Sequence, residues 1–343
     1  MHKPDAHNAA GSVTLSIDTS NYTTSVAAVD AQYNIVAEER QLLKVDEGER
    51  GLRQSQALFQ HVTALHTLIK KVTDKIHSQG YRICAVSVSD KPRPVEGSYM
   101  PVFLAGENTG AAVAAALDVP LYRFSHQEGH IAAVCGIRPE DEEFLSFHLS
   151  GGTGEIVRVK GNMPLDIVGG IKDISFGQLL DRTGVALGMD FPAGAQLDGI
   201  ACQGRDKLVT RYSRTGRLII ENALMKPIHI DGCFANLSGI ETQAQRLAAS
   251  ADTDKEFFVT ELFYHVSEAL AELTVNTCEA TGLNKIVFAG GVSASRFIRE
   301  VLTERISKEG IAVEFGDPKL SSDNAAGTGI LGMEKFLREM TEH

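Results

Sequence analysis

The sequence predicts an α/β protein built from two similar lobes, and three observations carry that prediction. Apolar strand-like runs alternate with helical patterns from residue 13 almost to the C-terminus, the order expected of layered α/β structure. A strand, a tight turn and a return strand open the chain at 13–29 and recur at 144–159, as a duplicated unit would. At 343 residues the chain also exceeds the size at which one hydrophobic core usually keeps growing. The charged run Arg138-Pro139-Glu140-Asp141-Glu142-Glu143 separates the two patterns and reads as the junction. The expected division is a tail at 1–12, a first lobe of 13–130 with about 300–338, and a second lobe of 131–299.

Residues 1–11 lack the apolar core of a secretory leader. The strand at 13–18 ends in Asp18, and a turn rich in hydroxyl residues follows. Asp18, Thr19 and Ser20 form a phosphate-type turn in which backbone N–H groups and hydroxyls hold oxygens while the acid faces a metal or water. Any threonine-rich hairpin shares that composition. Leu58, Val62, Leu65, Ile69, Val72 and Ile76 recur at three and four, which predicts one long helix over 52–76. His61 and His66 lie in it and read as structural or exposed. A buried strand at 83–88 follows, then a loop at 91–98 where open sheets place ligands. The small residues of 104–117 predict a closely packed helix, stopped by Asp118-Val119-Pro120.

A short strand at 121–124 leads into Ser125-His126-Gln127-Glu128-Gly129-His130. Histidines four apart share one helix face and can close on one metal ion; two incidental surface histidines are the competing reading. Asp323 is the best remote carboxylate to complete the set, and zinc and iron both suit two imidazoles and an acid. His126 and His130 enclose Gln-Glu-Gly, not the glutamate spacing of zinc peptidases.

The second half repeats the hairpin, with Ser150-Gly151-Gly152-Thr153-Gly154 as its turn. Two such turns predict lobes enclosing a nucleotide. A helix over 173–188 carries Asp181, whose carboxylate can accept from a ribose diol or pair with a neighbour such as Arg182. Gly194 follows, where backbone can approach a sugar or base. A long helix spans 257–278, and a buried strand at 285–289 runs into Gly290-Gly291 before a helix from about 296. Paired glycines between a strand and a helix N-terminus let a phosphate or adenosine lie against N–H groups. Neither a dinucleotide fingerprint nor a P-loop occurs, and no cysteine or serine stands beside a convincing base.

Composition narrows the function classes. The five cysteines have no Cys-x-x-Cys spacing, so neither a thiolate zinc site nor a disulfide framework is expected. No window approaches eighteen apolar residues, and a cytoplasmic protein without a membrane span is expected. The net charge of −11 argues against gripping nucleic acid over the whole surface. Two basic runs, Arg205 to Arg217 and Arg296 to Lys308, are interrupted by acids and read as solvated faces that leave room for local contact.

Taken in order, these motifs resemble the TsaD/Gcp family, the tRNA threonylcarbamoyladenosine synthases once called O-sialoglycoprotein endopeptidases. The resemblance runs from 13 to about 332. Ile17-Asp18-Thr19-Ser20, His126-Gln127-Glu128-Gly129-His130, Leu149-Ser150-Gly151-Gly152, Asp181-Arg182-Thr183 with the run from Gly188 to Gly194, Ala289 to Ala294, and Ser322-Asp323-Asn324 carry it. It implies a two-lobed actin-like ATPase (ASKHA, ribonuclease H-like) fold with a nucleotide cleft between the lobes. It further implies His126, His130 and Asp323 as ligands of iron or zinc. His148, Leu149, Ser150, Gly151 and Gly152 match the loop receiving the acyl and phosphate portion of the substrate. Asp181 and Gly194 match contacts to the adenylate sugar, and Ser295 falls where the family has asparagine. The implied activity is transfer of threonylcarbamoyl from its adenylate to N6 of adenosine 37 in tRNA. A smaller paralogue and an ATPase are its companions, with tRNA engaged through them and a homodimer or heterodimer as the assembly.

The chain departs from the family at the presumed pocket. Thr153 replaces the loop histidine, Gln178 a glutamate and Ser295 the longer asparagine. Arg93-Pro94-Val95-Glu96-Gly97 stands for a Gly-Pro-Gly turn, and Ser238-Gly239-Ile240-Glu241 reverses a lysine charge. Three readings follow: the family transfer, a related carbamoyl- or acyl-adenylate transferase with another acceptor, or a catalytically weak partner protein.

Overall fold

The structure is a computed structural model and describes residues 11–20, 22–45, 52–213, 218–317, 319–320 and 323–342. Residues 1–10 of the expected tail at 1–12, and Arg214, Arg217 and Ser322 of the motifs above, lie outside the described residues, while Ser12 already belongs to the first strand. The chain divides into two compact units. The first holds Met1–Glu142, Gly161–Pro164 and Ser322–His343; the second holds Glu143–Lys160 and Leu165–Ser321.

In the first unit β1 (Ser12–Asp18), β2 (Thr23–Asp30), β3 (Ile35–Leu42), β4 (Arg82–Lys91) and β5 (Leu121–Ser125) form one sheet in the order β3-β2-β1-β4-β5. β1 runs antiparallel to β2 and parallel to β4, and β5 continues parallel to β4. Period-two alternation points Val13, Leu15 and Ile17 into an apolar cluster with Leu65, Leu68, Val72 and Ile76 of α1 (Gln54–Ser78) and Ala105 and Ala114 of α2 (Phe103–Leu117). The helical stripe is the one the sequence predicts at Leu58, Leu65, Ile69, Val72 and Ile76, and departs from it at Val62. Val62 is exposed, and Ala57, His61 and Ala64 line the buried face. His61 belongs there because its Nδ1 lies 2.8 Å from Thr24 Oγ1, so a polar sheet residue has chosen a polar helix partner. A short helix, α3 (His126–Cys135), follows β5 directly.

The second unit repeats the plan. β6 (Glu143–Leu149), β7 (Gly154–Lys160) and β8 (Met163–Ile171) are adjacent strands, with α4 (Phe176–Ala186) and α5 (Gly194–Gly204) next in the chain. β9 (Thr210–Tyr212) and β10 (Leu218–Ile220) pair as a separate ribbon. β11 (Ile230–Asp231), β12 (Phe234–Ala235), α6 (Ser238–Ala249), α7 (Lys255–Thr281), β13 (Lys285–Ala289), α8 (Arg296–Ile306) and β14 (Ala312–Phe315) complete the unit. The sheet order β11-β12-β8-β7-β6-β13-β14 contains the same five-strand sequence as the first unit, with β6 antiparallel to β7 and parallel to β13. Its core is α7, whose Phe258, Leu262, Phe263, Val266 and Leu270 pack with Leu145, Phe147 and Phe288. Asp254 caps that helix through the Glu256 and Phe257 N–H groups, and Gly282 ends it at φ 72°.

The return to the first unit comes at 322 instead of near 300. The reason is the ladder: β14 pairs parallel with β13 from Lys285↔Ala312 to Phe288↔Phe315, so α8 and β14 extend the second sheet. The last helix, α9 (Ala326–Thr341), then covers the polar face of the first sheet. Small residues make that contact close, since a Cβ on Gly329 or Gly332 would meet Ser16 or Ser87 within 2.8 Å. Among the described residues no helix is long and apolar enough to cross a membrane.

Candidate metal centre and ligand turns

The first unit builds its site at the start of α3. Ser125 and Glu128 form a capping box: Ser125 Oγ accepts from Glu128 N, and Glu128 Oε2 accepts from Ser125 N at 2.7 Å and Ser125 Oγ at 2.6 Å. The acid between the histidines is therefore committed to the helix end. His126 opens the helix and His130 follows one turn on, their Nε2 atoms 2.8 Å apart. Asp323 Oδ1 lies 3.2 Å from His130 Nε2 and 3.6 Å from His126 Nε2. Among the described residues this is the one group of three such side chains whose donor atoms converge.

Asp323 arrives there because α9 crosses α3 at two glycines. A Cβ on Gly327 would sit 1.8 Å from Gly129 O, and one on Gly129 would meet Thr328 Oγ1 at 2.8 Å. The approach turn is fixed by Ala325 N donating to Ser25 Oγ and Ala326 N donating to Asn324 Oδ1. Two nitrogens this close cannot both present lone pairs to each other, so they share either a proton or a cation. Two imidazoles and one carboxylate oxygen, His130 buried and His126 and Asp323 half-buried, have coordination positions to spare and fit a divalent ion such as zinc or iron(II).

Asp18, at the end of β1, is 2% exposed. Its Oδ2 lies 2.8 Å from His126 Nδ1 and accepts from Ser89 Oγ at 3.1 Å, and its Oδ1 accepts from Ser20 N at 2.7 Å. Burial opposes its charge, but His126 and the Ser20 contacts outweigh that and hold the carboxyl below its ordinary range. Burial likewise disfavours an imidazolium at His126, yet Asp18 and Asp323 push its pKa up to about 10. His130 moves the other way, lowered by burial and by the neighbouring His126. Asp323 falls well below the carboxylate range despite burial, because both histidines face it.

The expected phosphate turn is only partly open. Thr19 Oγ1 donates to Val102 O at 2.9 Å and accepts from Gly106 N at 3.1 Å, so it ties the turn to α2. Ser20 Oγ is buried with no hydrogen-bond partner among the described residues and is the hydroxyl of this turn with capacity to spare.

The second unit carries the remaining predicted residues. Ser150 Oγ accepts from Gly152 N and Thr153 N, and Ser150 N donates to Thr153 O, which closes the turn while Gly151 and Gly152 stay exposed. Ser175 Oγ donates to Gly151 O at 2.8 Å and so anchors the turn to α4. Half-buried His148 sits beside Ala289 in the parallel ladder and opposite Glu155 in the antiparallel one. Gly290, at φ 95°, lies against the end of β6, where a Cβ would meet Leu149 O at 2.3 Å. The turns at Ser150 and Gly290-Gly291 are thus neighbours.

Asp181 Oδ1 accepts from Ala193 N at 2.9 Å and Gly194 N at 3.3 Å, so it orders the start of α5; burial raises its pKa. Arg182 pairs instead with Glu241 at 2.8 Å, which gives that reversed charge a partner. Gln178 is half-buried in α4. Ser295 caps α8 by accepting from Ile298 N and donates its hydroxyl to Asp198, which also accepts from Arg296 N and Phe297 N. Sequence reasoning missed Asp198, although it lies one helical turn after Gly194, and it missed Ser89 and the pairing of Gly129 with Gly327.

The family model described as "TsaD: tRNA N6-adenosine threonylcarbamoyltransferase" matches residues 35–330. The tRNA N6-adenosine threonylcarbamoyltransferase of Syntrophotalea carbinolica is 33% identical over 234 residues, 67% of this chain and 65% of that protein. That of Staphylococcus saprophyticus is 26% identical over 331 residues, 95% and 92% of the two chains. Solved structures of similar fold include the ADPNP-bound activator of the 2-hydroxyisocaproyl-CoA dehydratase from Clostridium difficile, with TM-score 0.52 at 13% identity over 96% and 98% of the chains. HypF of T. kodakarensis gives TM-score 0.58 at 12% identity, covering 96% of this chain and 48% of that one. The fold is accordingly the two-lobed α/β architecture of the actin-like ATPases. With the model match over most of its length and the converging His126, His130 and Asp323, the chain belongs to the tRNA N6-adenosine threonylcarbamoyltransferase family, a family of carbamoyl-transferring enzymes.

Proposed function

We propose that the chain transfers a threonylcarbamoyl group from threonylcarbamoyl-adenylate to N6 of adenosine 37 in tRNA, in a metal-dependent reaction. The observation carrying this reading is the convergence of His126 Nε2, His130 Nε2 and Asp323 Oδ1 in a member of this family. A divalent ion held by those three atoms supplies Lewis-acid polarisation of an acyl or phosphoryl oxygen. In the turn Ser150-Gly151-Gly152 the Ser150 and Gly152 N–H groups close the turn, and the Gly151 N–H is the dipole offered to the acyl and phosphate portion, in the manner of an oxyanion donor. Asp181 and the ordered start of α5 at Gly194 receive the adenylate ribose, and Gly290 and Gly291 let backbone approach the nucleotide closely. The acceptor amine attacks the carbamoyl carbon and AMP leaves, so no covalent enzyme intermediate forms.

Companion proteins, a smaller paralogue and an ATPase, belong to this reading, with the protein acting in the cytoplasm as part of a homodimer or heterodimer. tRNA is engaged mainly through those partners. Within the basic runs Arg205, Lys207, Arg296 and Arg305 are each ion-paired with glutamates, which lowers the positive charge they offer.

A second reading, a related carbamoyl- or acyl-adenylate transferase with a different acceptor, is favoured by one observation. The Ser295 hydroxyl is drawn to Asp198 at a position where the family has asparagine, and Thr153 leaves the Ser150 turn without an imidazole. A catalytically weak partner protein is the limiting case of the same drift.

The test supplies threonylcarbamoyl-adenylate, unmodified tRNA containing adenosine 37 and the companion proteins. The modified nucleoside should form, and should vanish in His126→Ala and Asp181→Ala. Intact metal-loaded protein that yields none, yet binds another adenylate tightly, supports the second reading; protein that neither reacts nor binds an adenylate supports the partner role.

A further inference from the structure

We propose that Asp18 is a positioning residue for the metal centre, fixing the ring proton of His126 on Nδ1 and leaving Nε2 free to ligate. The inference rests on reading His126, His130 and Asp323 as a cation site. Asp18 Oδ1 accepts from Ser20 N at 2.7 Å, which sets the plane of the carboxylate and turns Oδ2 toward the ring of His126 at 2.8 Å. An ionised carboxylate can only accept, so the imidazole atom facing it carries the proton. With Nδ1 protonated, the opposite nitrogen points to His130 Nε2 and Asp323 Oδ1. This is the arrangement by which a carboxylate orients a metal-bound histidine and raises its basicity.

The rest of the network supports that single role. Ser89 Oγ donates to Asp18 Oδ2 and lies 3.1 Å from Thr328 Oγ1. Thr328 in turn abuts Gly129, between the two histidines. Strands β1 and β4 and helices α3 and α9 therefore meet through one buried chain of polar contacts. Asp18 joins that chain through Oδ2, while Oδ1 is held by Ser20 N, so the end of β1 serves both the histidines and the phosphate-type turn.

Substitution separates tautomer control from simple packing. In Asp18→Asn the Ser20 N–H retains the amide oxygen, so the amide NH2 faces His126. The ring must then accept at Nδ1 and carry its proton on Nε2, the nitrogen needed for the metal. Asp18→Ala imposes no tautomer, although alanine is the poorer fit for the space.

The measurement is Co2+ binding to the full chain after chelator stripping, followed by visible absorption and chelator competition, with circular dichroism as the check on folding. Asp18→Asn should weaken Co2+ binding by about 10–100-fold, more than Asp18→Ala, and shift the absorption bands. Ser89→Ala, which removes one support of Oδ2, should weaken binding several-fold and covers the case in which Asp18→Asn does not fold. Wild-type affinity and spectrum in Asp18→Asn, with binding lost in His130→Ala, overturn the role of Asp18 and leave the metal site standing. Wild-type protein that binds no Co2+ overturns both.

Discussion

His126 joins the two halves of the site's chemistry, because one ring nitrogen faces a carboxylate and the other faces the donor cluster. In the metal-free protein its pKa of about 10 keeps both nitrogens protonated near neutrality. A raised folded-state pKa adds stability that is complete below the unfolded value of about 6.5, and it is lost as pH rises through about 10. Metal competes with that proton, so binding should release about one proton per ion near pH 7 and tighten as pH rises. Calorimetric titration in buffers of different ionisation enthalpy measures this, and a binding heat independent of the buffer contradicts it. The histidine pair was legible because spacing and residue type suffice to suggest it, and Asp323 because the family resemblance implies it as the third ligand. The partner of His126 was not, since Asp18 lies 108 residues away and looked like part of a local turn. The partners of Thr19 and Ser295 were hidden in the same manner: each hydroxyl meets a contact, Val102 or Asp198, that only the folded chain supplies.

Helices α3 and α9 hold the donor atoms together by backbone contact. A methyl at Gly327 would lie 1.8 Å from Gly129 O, which no side-chain adjustment relieves. Gly327→Ala should cost about 1–3 kcal/mol, the usual range for overpacking, and should lose metal as Asp323 is displaced. Gly152→Ala is the contrast, since a Cβ there meets nothing within 4 Å; its stability should stay within about 0.5 kcal/mol of wild type. Urea unfolding of both variants, with metal content measured alongside, checks the pair, and equal stability of the two contradicts this account of the crossing. Most elements could be read in advance, including β13 and the start of α8 after the paired glycines. The buried face of α1 could be read except at one position, where the apolar period admits Val62 while the sheet selects His61 through Thr24. The pairing of β14 with β13 could not be read, since a parallel ladder leaves no local signature.

At the scale of the molecule, two hairpins of similar pattern were enough to anticipate two similar units; that their sheets share a five-strand order is shown by the fold alone. The place where the chain returns to the first unit was misjudged by about twenty residues, for the ladder reason just given. Charge tells a parallel story. The basic runs stand out in the sequence against a net −11, but in the fold Arg205, Lys207, Arg296 and Arg305 meet glutamates, and Arg299 spends its donors on the Ser293 and Gly316 carbonyls. What remains distinctive is the convergence of two imidazoles and a carboxylate around a buried His130. Elemental analysis of the purified chain tests that claim most directly. Near-stoichiometric iron or zinc is expected in the wild-type protein, with its loss in both His130→Ala and Asp323→Ala; equal metal content in all three would rule out the three-residue site.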